Sequence, residues 1–169
     1  MTNSYVIAII LLIGISGCNN RTKEKPATSA KLIREIDKIR LTDLNGQNIS
    51  LKQYPGKTIF INFWATWCKP CIKEMPSIIE TQNMLQKENI IFLLASNESA
   101  EQIEEFSNTN KYKFNYVRIE NSEEMNVQAL PTTFIFNREG NLVFSETGSR
   151  KWNEKNNIDL ILKIAKEND

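Results

Sequence analysis

The stretch Phe63-Trp64-Ala65-Thr66-Trp67-Cys68-Lys69-Pro70-Cys71 closes an extended apolar run and opens a helical one, and it sets two thiols three residues apart at that junction. Such a spacing predicts a reversible disulfide. A dithiol exchanger needs its attacking sulfur as a thiolate near neutral pH, whereas a free cysteine with a pKa of about 8.5 is mostly protonated there. A helix N-terminus offers unpaired N–H groups and partial positive charge that favour an anion on the first turn, and Lys69 adds a full charge beside it. Cys68 is therefore the expected nucleophile. Cys71, one turn further in, is expected to be more sheltered and placed to attack the mixed disulfide that Cys68 forms with a partner, which makes it the resolving thiol.

Two simpler readings of the pair stand beside this one. A CxxC can be half of a zinc site, but structural zinc normally takes four Cys or His ligands, and the chain has no His and only Cys18 besides the pair. A static structural disulfide is the other, yet a loop this short gains little from closure, because the chain-entropy effect grows with loop length.

With 169 residues, 41% hydrophobic and 24% charged, the chain suits one compact domain and a short appendage. Its formal net charge is +1 and the charged residues are interspersed, so no basic footprint for nucleic acid stands out.

The appendage is N-terminal. Tyr5 to Ile15 is an almost wholly apolar run, too short to span a bilayer but sized for the hydrophobic region of a signal peptide. It ends in Ile15-Ser16-Gly17-Cys18, which resembles a bacterial lipobox. That resemblance implies cleavage after Gly17, acylation of Cys18 and a membrane anchor formed by its acyl chains, several of which on one residue hold a protein stably where a single chain does not. Met1 to Ser4 carries no Lys or Arg, which departs from the usual positive start of a signal peptide. Residues 18–32 are polar, with Pro26 among small residues, and read as a flexible tether with a reach of roughly 20 Å. Residues 33–169 form the folded domain. If Cys18 is acylated, the pair at 68 and 71 holds the only free thiols, an economy that suits an oxidising envelope.

Along that domain, Arg40 to Leu51 holds two short runs around Asn45-Gly46, which predicts an N-terminal β-hairpin with a two-residue turn. Lys57 to Phe63 has the continuous hydrophobicity of a central buried strand. A helix is expected from about Cys71 to Lys87, with Ile72, Met75, Ile78, Ile79 and Leu85 on one face and a kink at Pro76. Ile90 to Ala95 reads as a strand, and Ser99 with Gln102 reads as a capping box for a helix to about Asn110. Phe114 to Ile119 is a further strand. Leu130-Pro131-Thr132-Thr133-Phe134-Ile135-Phe136 and Leu142-Val143-Phe144 form a second hairpin entered through a proline, and Trp152 to Lys166 is an amphipathic helix with Ile158, Ile161, Leu162 and Ala165 in one stripe. This alternation predicts an α/β layered domain with helices on both faces of the sheet.

Together these residues resemble the thioredoxin superfamily, specifically the TlpA/ResA-like branch of membrane-tethered extracytoplasmic thiol–disulfide oxidoreductases. The resemblance runs from about Ile39 to the C-terminus. It rests on Trp67-Cys68-Lys69-Pro70-Cys71, on Pro76 five residues after the second cysteine, and on Leu130-Pro131-Thr132-Thr133-Phe134 followed by Glu139-Gly140. It implies a thioredoxin-like fold, a central mixed β-sheet flanked by helices with an N-terminal hairpin. It also implies a cis bond before Pro131, with Leu130, Pro131 and Trp67 contacting substrate; the plainer alternative is a proline that starts an edge strand. Many thioredoxins carry a buried Asp where this chain has Asn62, which cannot exchange a proton, and Glu74 matches a Glu that ResA-like proteins place near the dithiol. Glu74, Lys69, Pro70 and Trp67 are thus the supporting residues, although Glu74 also reads as an ordinary solvated helix residue. Trp64 and Trp67 flank the site, Trp64 with an equal claim to be core packing.

The expected function is a membrane-tethered thiol–disulfide oxidoreductase in a bacterial cell envelope, facing the periplasm or exterior. It would reduce disulfides of envelope proteins, apocytochrome c during haem attachment among the candidates, and be re-reduced by a membrane or envelope electron donor. No cofactor is expected beyond the Cys68–Cys71 disulfide, and no metal and no nucleic acid. Two alternatives stand: a non-enzymatic binding lipoprotein on the same fold, and a thiol peroxidase. Against the second, the attacking cysteine of peroxiredoxins typically follows a Thr by three positions, and position 65 is Ala.

Overall fold

The structure, a computed structural model, describes residues 35–110 and 112–167. The expected signal peptide, the lipidation site Cys18 and the tether lie outside the described residues. Among the described residues seven strands form one sheet in the order β2-β1-β5-β4-β3-β6-β7. In chain order they are β1 (Leu41–Thr42), β2 (Asn48–Ile49), β3 (Thr58–Phe63), β4 (Ile90–Ser96), β5 (Tyr116–Ile119), β6 (Thr132–Phe136) and β7 (Leu142–Thr147). Among the described residues three α-helices, α1 (Lys69–Met84), α2 (Ala100–Thr109) and α3 (Lys155–Lys166), connect or close them. β3, β4 and β5 run parallel, and β6 and β7 are joined antiparallel beside β3, giving a mixed sheet.

All six residues of β3 are buried, as its unbroken apolar run requires of a strand covered on both faces. Alternate residues feed two cores. Phe60 and Trp64 join Met75 and Ile78 of α1, Ile103 of α2 and Ile161 and Ile164 of α3. Ile59, Ile61 and Phe63 join Ile36, Leu51, Phe134 and Phe136, with Met125 and Val127 packed against them. All three α-helices therefore bury residues on one side of the sheet. The second face is covered by short 3-10 turns at Glu35–Lys38 and Leu51–Gln53 and by the turns around residues 122–128, where helices were expected. Those segments are too short to show a helical period and still bury enough apolar surface to close the face.

The hairpin of β1 and β2 forms, but its turn differs from the expectation. Gly46 N–H donates to the Asp43 carbonyl, Asp43 N–H to the Gln47 carbonyl, and only Gly46 of the Asn-Gly pair has positive φ, at 79°. This is a three-residue loop with a glycine bulge. Asp43 selects it, because its carboxylate accepts the N–H groups of Asn45 and Gln47 at 2.9 and 2.8 Å.

Helix α1 starts two residues before the expected position and runs through Pro76 as one element. Pro76 forfeits the bond to the Ile72 carbonyl, while buried Met75 and Ile78 on either side hold both halves against the core. Ser99 and Gln102 cap α2 reciprocally, as the sequence predicts. Trp152 precedes α3 and does not belong to it. It lies buried with its ring edge-on to Phe60 at 4.8 Å and to Phe144 at 6.1 Å, closing the core under the first turns of α1.

Candidate active site

Strand β3 ends at Phe63, and the loop Trp64–Trp67 carries the chain to Cys68, the N-cap of α1. The loop is held from below by Trp64 N–H donating to the Ala95 carbonyl and Cys68 N–H donating to the Ala65 carbonyl, at 3.0 and 3.1 Å. Cys68 Sγ accepts the N–H of Cys71 at 3.3 Å, so a sulfur occupies the place where a capping oxygen would satisfy the helix end. The two sulfurs are joined in a disulfide, with Cα atoms 5.3 Å apart. Cys68 is 4% exposed and Cys71 fully buried, an asymmetry that orders the two sulfurs for access. Pro70 sits in the first turn, where a missing N–H costs nothing. Lys69 and Pro70 are exposed.

The two tryptophans separate. Trp67 is 70% exposed beside the disulfide, whereas Trp64 is core, stacked at a tilt on Phe106 (4.7 Å) and Tyr116 (5.4 Å). Burial pushes the Tyr116 phenol up to about 12, so it takes no part in proton transfer near neutral pH.

Glu74 is 3% exposed and is no solvated helix residue. It lies one turn beyond Cys71 on α1. Its Oε1 accepts Asn62 Nδ2 at 2.8 Å and its Oε2 accepts the Arg150 backbone N–H at 2.9 Å. Burial pushes its pKa above the ordinary carboxylate range, against the opposing pull of the bonds from Arg150 and Asn62. Asn62 also donates to Thr133 Oγ1 at 2.9 Å, which ties β3 to β6 behind the site.

Leu130–Pro131 is a cis peptide, and Pro131 leads into β6, an interior strand flanked by β3 and β7, which excludes the edge-strand alternative. Thr132 pairs with Phe63, so the register sets Leu130 and Pro131 at the end of β3 from which the cysteine loop emerges. Leu130 also lines a cavity of about 220 Å³ with Trp67, Trp64 and Val127.

Two features escape sequence reading. One is Glu98, just past β4, whose carboxylate accepts Thr66 N–H and Thr66 Oγ1 at 2.7 Å each and Ser96 Oγ at 3.0 Å. It pins the residue two places before Cys68. Its position past the carboxyl end of a parallel strand, where sites gather in α/β sheets, was the available signal. The other is a strap, residues 148–152. Gly148 N–H donates to the Pro131 carbonyl at 2.8 Å, Arg150 N–H to Glu74, and Trp152 N–H to Ser77 Oγ at 3.0 Å. The strap therefore links the cis-proline turn to the buried carboxyl. Arg150 fixes it by side-chain bonds to Glu146 and Asn157 and by lying over the Phe144 and Trp152 rings.

A buried sulfur at a helix N-terminus, its pair behind it, a raised carboxyl one turn on and a cis proline opposite make an arrangement suited to thiol–disulfide exchange. The comparisons with known proteins agree. The AhpC/TSA family matches residues 33–145. The thiol-disulfide oxidoreductase ResA of Bacillus thuringiensis is 32% identical over 154 residues, covering 83% of this chain and 86% of that one. The thioredoxin-like protein YneN of Bacillus subtilis is 29% identical over 140 residues, covering 79% and 82%. The fold is shared with the crystal structure of a thiol:disulfide interchange protein, a thioredoxin family protein from Chlorobium tepidum, with a TM-score of 0.59 at 24% identity over 73% of this chain and 90% of that one. The chain thus belongs to the AhpC/TSA family, on its thioredoxin-like side, and is a thiol–disulfide oxidoreductase.

Proposed function

We propose that this enzyme reduces disulfides of proteins in a bacterial cell envelope, with Cys68 as nucleophile and Cys71 as resolving thiol. The observation that carries the assignment is the asymmetry of the pair: Cys68 caps α1 and accepts a backbone N–H on its sulfur, while Cys71 is fully buried behind it. In the reduced enzyme the Cys68 thiolate attacks one sulfur of a partner disulfide. A new S–S bond forms between Cys68 and the partner, and the partner's other sulfur leaves as a thiolate and takes a proton. The Cys71 thiol then gives up its proton, and its thiolate attacks Cys68 Sγ, which re-forms the Cys68–Cys71 disulfide and releases the partner's second sulfur. Two electrons pass to the partner, and an envelope dithiol donor restores the enzyme.

Glu74 is the group proposed to receive the Cys71 proton. Its carboxyl is buried on the same helix face one turn away, and its raised pKa brings it closer to a proton acceptor working near neutral pH. Trp67 offers a flat apolar surface, and Leu130 and Pro131 supply the backbone edge for an extended partner segment. Lys69 steadies the thiolate, and Pro70 shapes the first turn. The Trp-Cys-x-Pro-Cys context, without a His between the cysteines, supports a reductant over an oxidant. No cofactor beyond the disulfide is needed for these steps.

Tethering through an acylated Cys18 at a membrane, with the domain facing the periplasm or exterior, rests on the lipobox-like Ile15-Ser16-Gly17-Cys18. Apocytochrome c during haem attachment is one candidate partner. The thiol peroxidase reading is disfavoured because position 65 is a buried Ala. The test is capture: Cys71→Ser expressed in the native cell should accumulate mixed disulfides through Cys68 that dithiothreitol releases, whereas Cys68→Ser should not. Equal capture by both variants would overturn the assignment of roles.

A further inference from the structure

A cavity of about 680 Å³ opens beside the cysteines, between the first three turns of α1 and the strap at 148–152, and it begins at Lys69 and Pro70, the residues that separate the two sulfurs. Four cations line it, Lys69, Lys73, Arg150 and Lys151, against the two carboxyl groups of Glu74 and Glu80. The carboxyl groups are already engaged: Glu74 by Asn62 and Arg150 N–H, Glu80 by Asn153 at 2.6 Å. Lys69 and Lys73 are spaced i and i+4, so they share one face of α1. Both are exposed, and neither forms an ion pair among the described residues. Lys151 leans on Glu154 only at 3.7 Å, with both side chains largely in solvent.

The sheet order places the opposite charge on the other side of the dithiol. β6 and β7, which lead to the strap, lie on one flank of β3, while β4 and β5 lie on the other. Beyond the carboxyl ends of β4 and β5 come Glu101, Glu104 and Glu105 of α2 and then Glu120 and Glu123, which outnumber Arg118 near the end of β5. The mouth of the site is thus positive towards the strap and negative towards α2, although the whole chain carries a formal net charge of only +1. A charge gradient of this kind selects and orients a partner more than it holds one.

We propose that the cavity between α1 and the strap receives an acidic segment of the substrate protein, rich in Asp or Glu and adjacent in sequence to the disulfide that Cys68 attacks. The inference rests on the reductase reading above and adds a substrate class to it. The carboxylates of the segment meet Lys69 and Lys73 at the cavity mouth and Lys151 on its far wall, where Arg150 is already paired with Glu146, and the same field repels a basic segment presented in that direction.

The test uses two disulfide-bridged peptides of equal length, one flanked by Asp and Glu and one by Lys and Arg, reduced by the dithiol form of the full protein. Their kcat/KM values give an acidic-to-basic ratio, expected well above one at low ionic strength and approaching one as salt rises to about 0.5 M, where screening shortens to a few ångström. Lys73→Glu should lower that ratio by about fivefold, the scale of an exposed charge reversal, and Lys73→Glu with Lys151→Glu should lower it further. Lys73→Gln should give an intermediate ratio, which a mere loss of folding would not. A ratio near one in the unaltered protein, or one that the reversals leave unchanged, overturns the proposal while leaving the reductase reading intact. Failure to reduce either peptide would instead count against the reductase reading itself.

Discussion

Replacing Glu98 by Ala probes whether the cysteine loop is held from outside its own sequence. The carboxylate accepts three donors, Thr66 N–H, Thr66 Oγ1 and Ser96 Oγ, at 2.7, 2.7 and 3.0 Å. Hydrogen bonds to a charged group contribute about 1.5–3 kcal/mol each. Thr66 is half-buried, so its hydroxyl can turn to water once the carboxylate is gone, and the lasting losses are the Thr66 amide bond with the ordering of residues 64–67 and the bond from the buried Ser96 hydroxyl. We expect a destabilisation of about 2 kcal/mol. For a urea m-value near 1.5–2 kcal/mol/M, the denaturation midpoint should fall by roughly 1 M with the slope unchanged. Glu98→Gln should lie between the two proteins, because its single oxygen keeps one Thr66 bond while its amide turns a donor towards the other. Fluorescence of Trp67, next to Thr66 in the loop, should shift with the same variants. A loss below about 0.5 kcal/mol, the range of an ordinary surface substitution, would refute the view that Glu98 fixes the loop.

The remaining predictions concern proton handling and packing. Burial raises the Glu74 pKa in the folded protein, so the native state holds its proton to a higher pH than the unfolded chain does. Its contribution to stability is full below the unfolded value of about 4.3 and is lost as pH rises through the raised folded value. Glu74→Gln should flatten that part of the stability–pH curve and also flatten the pH dependence of thiol reactivity at the dithiol; unchanged profiles would remove Glu74 from the mechanism. Trp67→Ala, at a residue 70% exposed, should change stability by less than about 0.5 kcal/mol yet raise KM for protein disulfides. Trp152→Ala should cost about 3–5 kcal/mol, because that ring is buried against Phe60 and Phe144; the opposite ranking of the two in thermal or chemical denaturation would contradict the packing described.

How much of this was legible in the chain depends on the range of the interaction. Strand β3 announces itself because a strand covered on both faces must be apolar throughout, and Ser99 with Gln102 caps α2 through contacts three residues apart. The Asn45-Gly46 turn shows the limit of such local rules: Asp43, outside the pair, supplies two side-chain bonds and changes the turn. The loss of helices from the second face follows from segments too short to display a period. Cys68 and Cys71 are readable from spacing and chemistry, and the cis bond before Pro131, which the structure contains, only through a family resemblance. Glu74 was placed near the dithiol by the same resemblance, but its burial depends on Asn62, twelve residues away, and on Arg150, seventy-six residues away. Glu98 reaches Thr66 across thirty-two residues, and Gly148 reaches Pro131 only after β6 and β7 have paired. Such contacts leave no pattern in a single sequence.

The most direct test of the account is the reduction potential of the Cys68–Cys71 couple, with the purified protein equilibrated in dithiothreitol or glutathione buffers and read by Trp fluorescence and thiol trapping. The account predicts one reversible two-electron transition near or below about −250 mV, in the range of thioredoxin. A potential near about −120 mV would make the enzyme an oxidant that introduces disulfides, and the absence of any reversible transition would contradict dithiol chemistry at this site.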